Sequence, residues 1–307
     1  MYQHTLTQSY VFEGKGLHTG QVSRMTVKPA PAGFGIRFLR TDIGPDAWII
    51  ARADRVSSTA RSTQLLEGDA VVNTVEHILS ALTGMGIDNA QIDIDNLEVP
   101  ILDGSASRYV AAFAADGRVA QEAERRYLTL SEPVEVRDEK TGSWVRVEPA
   151  GHPSYDITVD FGSKVLGVQQ AKWEEGQDYA SQIGVCRTFV FFHEIEYLFA
   201  NNLIKGGDVD NAIVIVEHPV TEEQLDRMSA SMGLPKLSVV GGGYLNNLKL
   251  HFDNECGRHK LLDLIGDMRL AGGWLNARVT AFKPGHTINN LAARAVLRQL
   301  RESGQIK

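Results

Sequence analysis

The chain has 307 residues, enough for two domains of ordinary size and a substantial buried core. Apolar residues make up 43 % and charged residues 22 %, which excludes global disorder, and the net charge of -7 excludes a nucleic-acid binder working through bulk electrostatics. No apolar run approaches the roughly 20 residues of a bilayer span, no signal peptide opens the chain, and Cys186 and Cys256 form no disulfide framework, so a cytoplasmic protein is expected.

Residues 1–40 alternate apolar and polar positions around turns, as in Arg24–Lys28 and Gly35–Arg40, and read as strands. Between them, Gly14–Gly20 (GKGLHTG) is glycine-rich but lacks the Walker spacing, so it reads as a tight connection with His18 in the turn or at the rim of a site. Thr74–Leu82 has Thr74 as N-cap and Val75, Ile78, Leu79 and Leu82 at helical spacing. Gly86–Asp95 alternates as a half-buried strand, and Asp103–Phe113 reads as a turn leading into a second helix. The charged stretch Gln121–Arg126 marks a domain boundary before a new series of strands from Tyr127 to Gln170, giving domains 1–126 and 127–307.

Two halves that each begin with strands and then supply helices imply an α+β fold with helices packed on sheets. The tripeptide Asp88-Asn89-Ala90 recurs as Asp210-Asn211-Ala212, which is compatible with two related halves but too short to establish them. Thr188–Phe192 is densely apolar and precedes an expected helix from Glu194 to Asn201, with Gly206-Gly207 before a strand; the region from about 190 to 216 is either core or an insertion lining a path for an apolar ligand. Gly241–Gly243 reads as a flexible turn, Trp274–Phe282 as a strand, and a helix begins near Thr287 after Pro284-Gly285.

Arg258–Asp267 (RHKLLDLIGD) has the apolar spacing of a helix, on which His259, Asp263 and Asp267 stand one above another. Such a stripe is either the solvated face of an amphipathic helix or a place where an imidazole and a carboxylate one turn apart hold a divalent cation. His77 on the earlier helix completes a two-histidine, one-carboxylate set, the three ligands and one open position of a catalytic zinc. Glu76 beside it points about 100° away and reaches a water rather than the same ion. Cys256, three residues before His259, offers a competing closed site, but there is no second Cys-His pair to complete it. His286, at a helix start, is a candidate proton donor; the helix terminus lowers its pKa and a carboxylate such as Asp267 raises it.

The segments GKGLHTG, TVEHILSAL, GIDNAQIDI, PILDGSA, CRTF, GGDVDNAIVI, RHKLLDLIGD and KPGHTINN, in this order over nearly the whole chain, resemble the UDP-3-O-acyl-N-acetylglucosamine deacetylases of lipid A biosynthesis. The resemblance implies two α/β sandwich domains of similar fold, each a sheet packed on two helices, with the active site at their interface. It implies one Zn2+ held by His77, His259 and Asp263, with Glu76 as general base. Thr188 would polarise the acetamide carbonyl, and His286, supported by Asp267, would stabilise the oxyanion and protonate the leaving nitrogen. Lys260 and Lys283 would serve the charged substrate, Lys283 toward the diphosphate, while Phe189, Phe192, Ile195 and Val214 would form the acyl passage. The implied partner is a small-molecule UDP-sugar, with no nucleic acid, for a monomeric chain.

Two departures qualify the resemblance. Within Ser58–Thr63, Ser62 stands where many relatives carry a cysteine, so nothing assigned to that cysteine carries over. Some relatives also continue into a fused dehydratase, and this chain is either complete or one half of such a fusion. The acyl-chain length and the identity of the metal stay open, and a non-catalytic protein that binds a nucleotide sugar around a structural metal is the rival reading.

Overall fold

Two five-stranded sheets organise the computed structural model, which describes residues 1–200, 205–207, 211–232 and 235–306. The first runs, in spatial order, Tyr10–Lys15, Val22–Pro29, Ala90–Ile94, Ile36–Arg40 and Trp48–Ile50. The second runs Val134–Asp138, Ser143–Pro149, Ala277–Phe282, Ser154–Asp160 and Val168–Glu174. In each, the central strand is last in sequence, antiparallel to one neighbour and parallel to the other. A parallel neighbour requires a crossover, and a helix supplies it on both occasions. Ala90–Ile94 lies between helices Glu76–Gly84 and Ser107–Asp116, and Ala277–Phe282 lies between Glu255–Arg269 and His286–Glu302.

This shared order establishes two related halves of an α+β fold. The recurring tripeptide does not mark the repeat: Ala90 opens a central strand, whereas Ala212 precedes Ile213–Ile215 in a separate small sheet, and Asp208–Asp210 lie outside the described residues. That small sheet, Phe189–Phe191, Ile213–Ile215, Tyr244–Leu245 and Val239–Val240, carries the helix Phe192–Ala200. The expected helix end at Asn201 also lies outside the described residues.

Alternation along the strands buries one face of each sheet, as in Val22–Pro29 and Ser154–Asp160. Helix Glu255–Arg269 departs from this amphipathic scheme, because His259, Asp263 and Asp267 are as buried as its leucines. It packs against helices Glu76–Gly84 and His286–Glu302 and against the second sheet. Gly266 makes the crossing of the first two possible: a Cβ there would lie 2.0 Å from the backbone oxygen of Glu76. Gly84 gives a second close approach, filled by the ring of Tyr179, whose Cγ would be 2.1 Å from an added Cβ.

One local expectation is corrected. Thr74 is not an N-cap: it has φ 60°, the helix starts at Glu76, and the Thr74 hydroxyl donates to Glu98 Oε1 at 2.9 Å. The charged stretch Gln121–Arg126 overlaps the strand Arg118–Glu124, which pairs with Tyr2–Leu6. Its charges alternate with positions that are only partly covered, a pattern that suits an edge ribbon as well as a loop. The helix expected near Thr287 begins at His286, so that residue occupies the helix N-terminus. No helix among the described residues is long and apolar enough to cross a membrane.

Candidate active site

The crossing at Gly266 brings the first turn of helix Glu76–Gly84 against the middle of helix Glu255–Arg269. His259 and Asp263, one turn apart, thereby face His77. The two histidine rings meet edge to face, with centroids 5.1 Å apart and planes at 90°. Nε2 of His77 lies 3.6 Å and Nε2 of His259 3.5 Å from Asp263 Oδ1, and all three residues are buried.

Protonation decides what this cluster can hold. His259 Nδ1 lies 3.0 Å from the Cys186 carbonyl oxygen, which only accepts, so Nδ1 carries the proton. Burial pushes the His259 pKa down to about 4, against the raising effect of Asp263, so the ring is neutral and Nε2 is a lone pair. Asp263 Oδ1, also an acceptor, is buried and has no hydrogen-bond partner. Burial alone would raise the Asp263 pKa, but the charge of Lys260 holds it well below the usual carboxylate range. A lone pair facing a carboxylate oxygen is repulsive unless a cation lies between them. Ligand atoms about 2.1 Å from a tetrahedral ion stand about 3.4 Å apart, close to the spacings found here. The residues present therefore fit a divalent metal.

A second polar network adjoins the first. Glu76 Oε2 accepts from the Thr63 backbone N–H at 3.0 Å, and Oε1 lies 3.9 Å from His286 Nε2. His286 Nδ1 donates to Asp267 Oδ2 at 3.1 Å, and Asn289 Nδ2 donates to the same oxygen at 2.9 Å. The remaining Asp267 oxygen accepts the Thr63 hydroxyl at 2.6 Å. Burial would lower the His286 pKa, but the charges of Asp267 and Glu76 prevail and raise it to about 9. Burial raises the pKa of Glu76, opposed by His286 and His77. A buried carboxylate thus faces an imidazolium, the base-and-acid pairing that proton transfer needs.

Thr63 is the residue that sequence reasoning missed. It ties Glu76 and Asp267, from different helices, through one backbone and one side-chain donor. Its position at the end of a Ser/Thr-rich segment carries no periodic signal.

Glu76, His77, His259, Asp263 and His286 line the floor of a cleft of about 260 Å³. Thr188 and Lys260 stand on its walls, and Leu17 and His18 line it from the GKGLHTG turn. Glu98 shapes that turn by accepting the backbone N–H groups of His18 and Thr19. Thr188 is fixed by its own N–H donating to Gly104 O and its carbonyl accepting from Ile213 N, both at 2.8 Å. Lys260 Nζ lies 2.9 Å from Asp263 Oδ2, so it neutralises the metal-facing carboxylate as well as facing the cleft. Phe189, Ile195, Leu198, Val214 and Met228 form an apolar arm.

Phe192 and Lys283 do not line this cleft. Phe192 is buried behind the arm, packed in one cluster with Ile195 and Val214, and Lys283 stands outside, 3.8 Å from Asp160. Neither cysteine belongs to a metal-capable cluster among the described residues; both are buried, and burial pushes both thiols up to about 12.

A family model described as UDP-3-O-acyl N-acetylglycosamine deacetylase matches residues 3–232 and 234–298. The chain is 42 % identical over 301 residues to the "Bifunctional enzyme LpxC/FabZ" of Porphyromonas gingivalis, covering 98 % of this chain and 65 % of that protein. It is 37 % identical over 302 residues to the "UDP-3-O-acyl-N-acetylglucosamine deacetylase" of Trichormus variabilis, covering 97 % of this chain and 99 % of that one. For the enzyme of the same name from Shewanella halifaxensis the identity is 35 % over 303 residues, with 97 % and 90 % covered. The chain thus spans just under two thirds of the bifunctional relatives and nearly all of the monofunctional ones. Motifs, two-part fold and family match agree, and the chain belongs to the family of UDP-3-O-acyl-N-acetylglucosamine deacetylases.

Proposed function

We propose that this chain hydrolyses the N-acetyl group of UDP-3-O-(3-hydroxyacyl)-N-acetylglucosamine, giving the free amine and acetate, the committed step of lipid A biosynthesis. The observation that carries the reading is the convergence of two imidazoles and an unpartnered carboxylate oxygen beside a buried Glu76 and a charged His286. His77, His259 and Asp263 would hold one zinc ion, at the meeting of two domains, 1–126 and 127–307. When bound, the ion supplies Lewis acidity, which polarises a carbonyl and makes water acidic enough to attack near neutral pH.

Glu76 takes the proton from the water that attacks the acetamide carbon. The Thr188 hydroxyl and the His286 imidazolium donate to the carbonyl oxygen as negative charge develops on it. Asp267 orients His286, which then gives its proton to the departing glucosamine nitrogen. As the C–N bond breaks, the acetyl carbon keeps the oxygen and second proton of the water and sheds that proton to solvent as acetate, the amine keeps the proton from His286, and the proton on Glu76 restores His286. Lys260 faces the charged substrate from the cleft wall, and Lys283 serves the diphosphate outside it. Phe189, Ile195 and Val214 accommodate the acyl chain, with Phe192 supporting them from behind.

The test is acetate release from the acylated UDP-sugar by wild-type protein and by Glu76→Ala, each with metal content measured. The variant is expected to keep its metal and lose roughly 10²- to 10⁴-fold in turnover. Near wild-type turnover in the metal-loaded variant would remove Glu76 from its role. A chain that binds metal and substrate but releases no acetate would be a binding protein instead.

A further inference from the structure

We propose that the small-sheet insertion carries a second metal site, made by His193, Glu217 and His218, for a transition-metal ion such as Zn2+. One ligand atom from each residue lies within 4.8 Å of the others. The three share nothing with the cleft set and, unlike it, are exposed or partly so. His193 is the second residue of helix Phe192–Ala200, while Glu217 and His218 follow the strand Ile213–Ile215. In an extended segment, consecutive side chains point to opposite faces, but the chain bends at His218, so Glu217 and His218 converge.

The surroundings form a built pocket rather than a chance group of polar residues. A concavity of about 180 Å³ is lined by all three residues together with Phe192, Val216 and Pro219. Phe191 stacks on the His193 ring at 5.6 Å and 28°, which restricts that imidazole. The rings of His193 and His218 are 5.7 Å apart and tilted by 53°, with neither stacked flat on the other. Two imidazoles and a carboxylate select zinc, nickel or cobalt over the all-oxygen preference of magnesium and calcium. Closing from within 4.8 Å to the about 3.4 Å of a tetrahedral set requires side-chain rotation, with His193 and His218 exposed and Glu217 partly so.

The position gives such an ion a mechanical consequence. Phe192 and Val216, beside the ligands, are buried in the same apolar cluster as Ile195, Val214 and Met228, which line the arm of the cleft. An ion joining His193 to Glu217 and His218 fastens the start of the helix to the loop after the strand, and with them the wall of that arm.

The experiment titrates the chelator-stripped 307-residue chain with Zn2+ alone and counts equivalents retained against a competing chromophoric chelator. Wild type is expected to hold two. His193→Ala/His218→Ala is expected to hold one, and His77→Ala to lose the other. Glu217→Gln, which keeps size and removes charge, should weaken the second equivalent by more than the roughly 10- to 100-fold typical of an outer-shell change. Hydrogen exchange of residues 192–195 and 216–220 should slow on addition of the second equivalent in wild type and stay unchanged in the double variant. A single equivalent in wild type, two in the double variant, or exchange indifferent to the second equivalent would each overturn the proposal. Because the double variant leaves the cleft ligands intact, its outcome is independent of the deacetylase reading.

Discussion

Gly266→Ala should damage the site without touching any group that does chemistry. Gly266 sits inside a helix, where alanine is ordinarily favoured by about 1 kcal/mol, so local propensity predicts stabilisation. Tertiary geometry predicts the reverse. The added Cβ would stand 2.0 Å from the Glu76 carbonyl oxygen and 2.8 Å from its carbon, whereas ordinary contact begins at 3.4 Å. The helices must therefore separate by 3.4 minus 2.0, about 1.4 Å, at that point. The obstacle is backbone and cannot rotate away, so the cost lies near the upper end of overpacking, about 3 kcal/mol. Against the propensity gain this leaves a net loss of about 2 kcal/mol, a drop in Tm of about 4 °C for a chain of this size.

The functional effect should exceed the stability effect. His259 and Asp263 share one helix and keep their spacing, but His77 and Glu76 move away with the other. A displacement of about 1 Å at a reacting centre costs roughly 100-fold in rate, and metal affinity should fall by about 10- to 100-fold. Calorimetry, chelator competition and acetate release on the purified variant check these figures. Wild-type melting together with wild-type metal affinity and turnover would refute the claim that Gly266 sets the spacing of the site.

Two further outcomes follow from the polar network. Thr63→Val removes the hydroxyl that donates to Asp267 but keeps the backbone N–H to Glu76. A lost hydrogen bond to a charged group is worth about 1.5–3 kcal/mol, so turnover should fall by roughly 10- to 100-fold at unchanged metal content; an unaffected rate would separate Thr63 from the site. The charge on His286 makes a pH statement about metal-free protein. Its folded pKa of about 9 is raised above the unfolded value of 6.5, so its stabilisation is fully present below pH 6.5 and is lost as pH rises toward 9. Urea midpoints of metal-free wild type and His286→Gln should thus differ more at pH 6 than at pH 9. Equal differences at both would mean that His286 is neutral in the folded chain.

What the sequence determined by itself was local or carried by a contiguous motif. The 3.6-residue period marked the helix holding Glu76 and His77 and the helix holding His259, Asp263 and Asp267, because apolar spacing within one helix follows from backbone geometry alone. Alternation marked the strands of both sheets for the same reason. The identity of the polar stripe was different. Whether His259 and Asp263 faced water or a cation depended on a helix almost two hundred residues earlier, and only the Gly266 crossing placed His77 opposite them.

Tertiary structure also decided three things that no spacing encodes. Thr63 reaches Asp267 across 204 positions of sequence, a pairing that chain folding creates and periodicity cannot anticipate. Thr74, cap-like by residue type, was turned instead to Glu98, because its left-handed backbone takes it out of capping geometry. The charge of His286 rested on competing burial, helix-terminus and carboxylate effects, whose sizes are set by distance. Electrostatic energies vary inversely with separation and with local polarity, so they become legible only when the carboxylates of Glu76 and Asp267 are seen beside the ring.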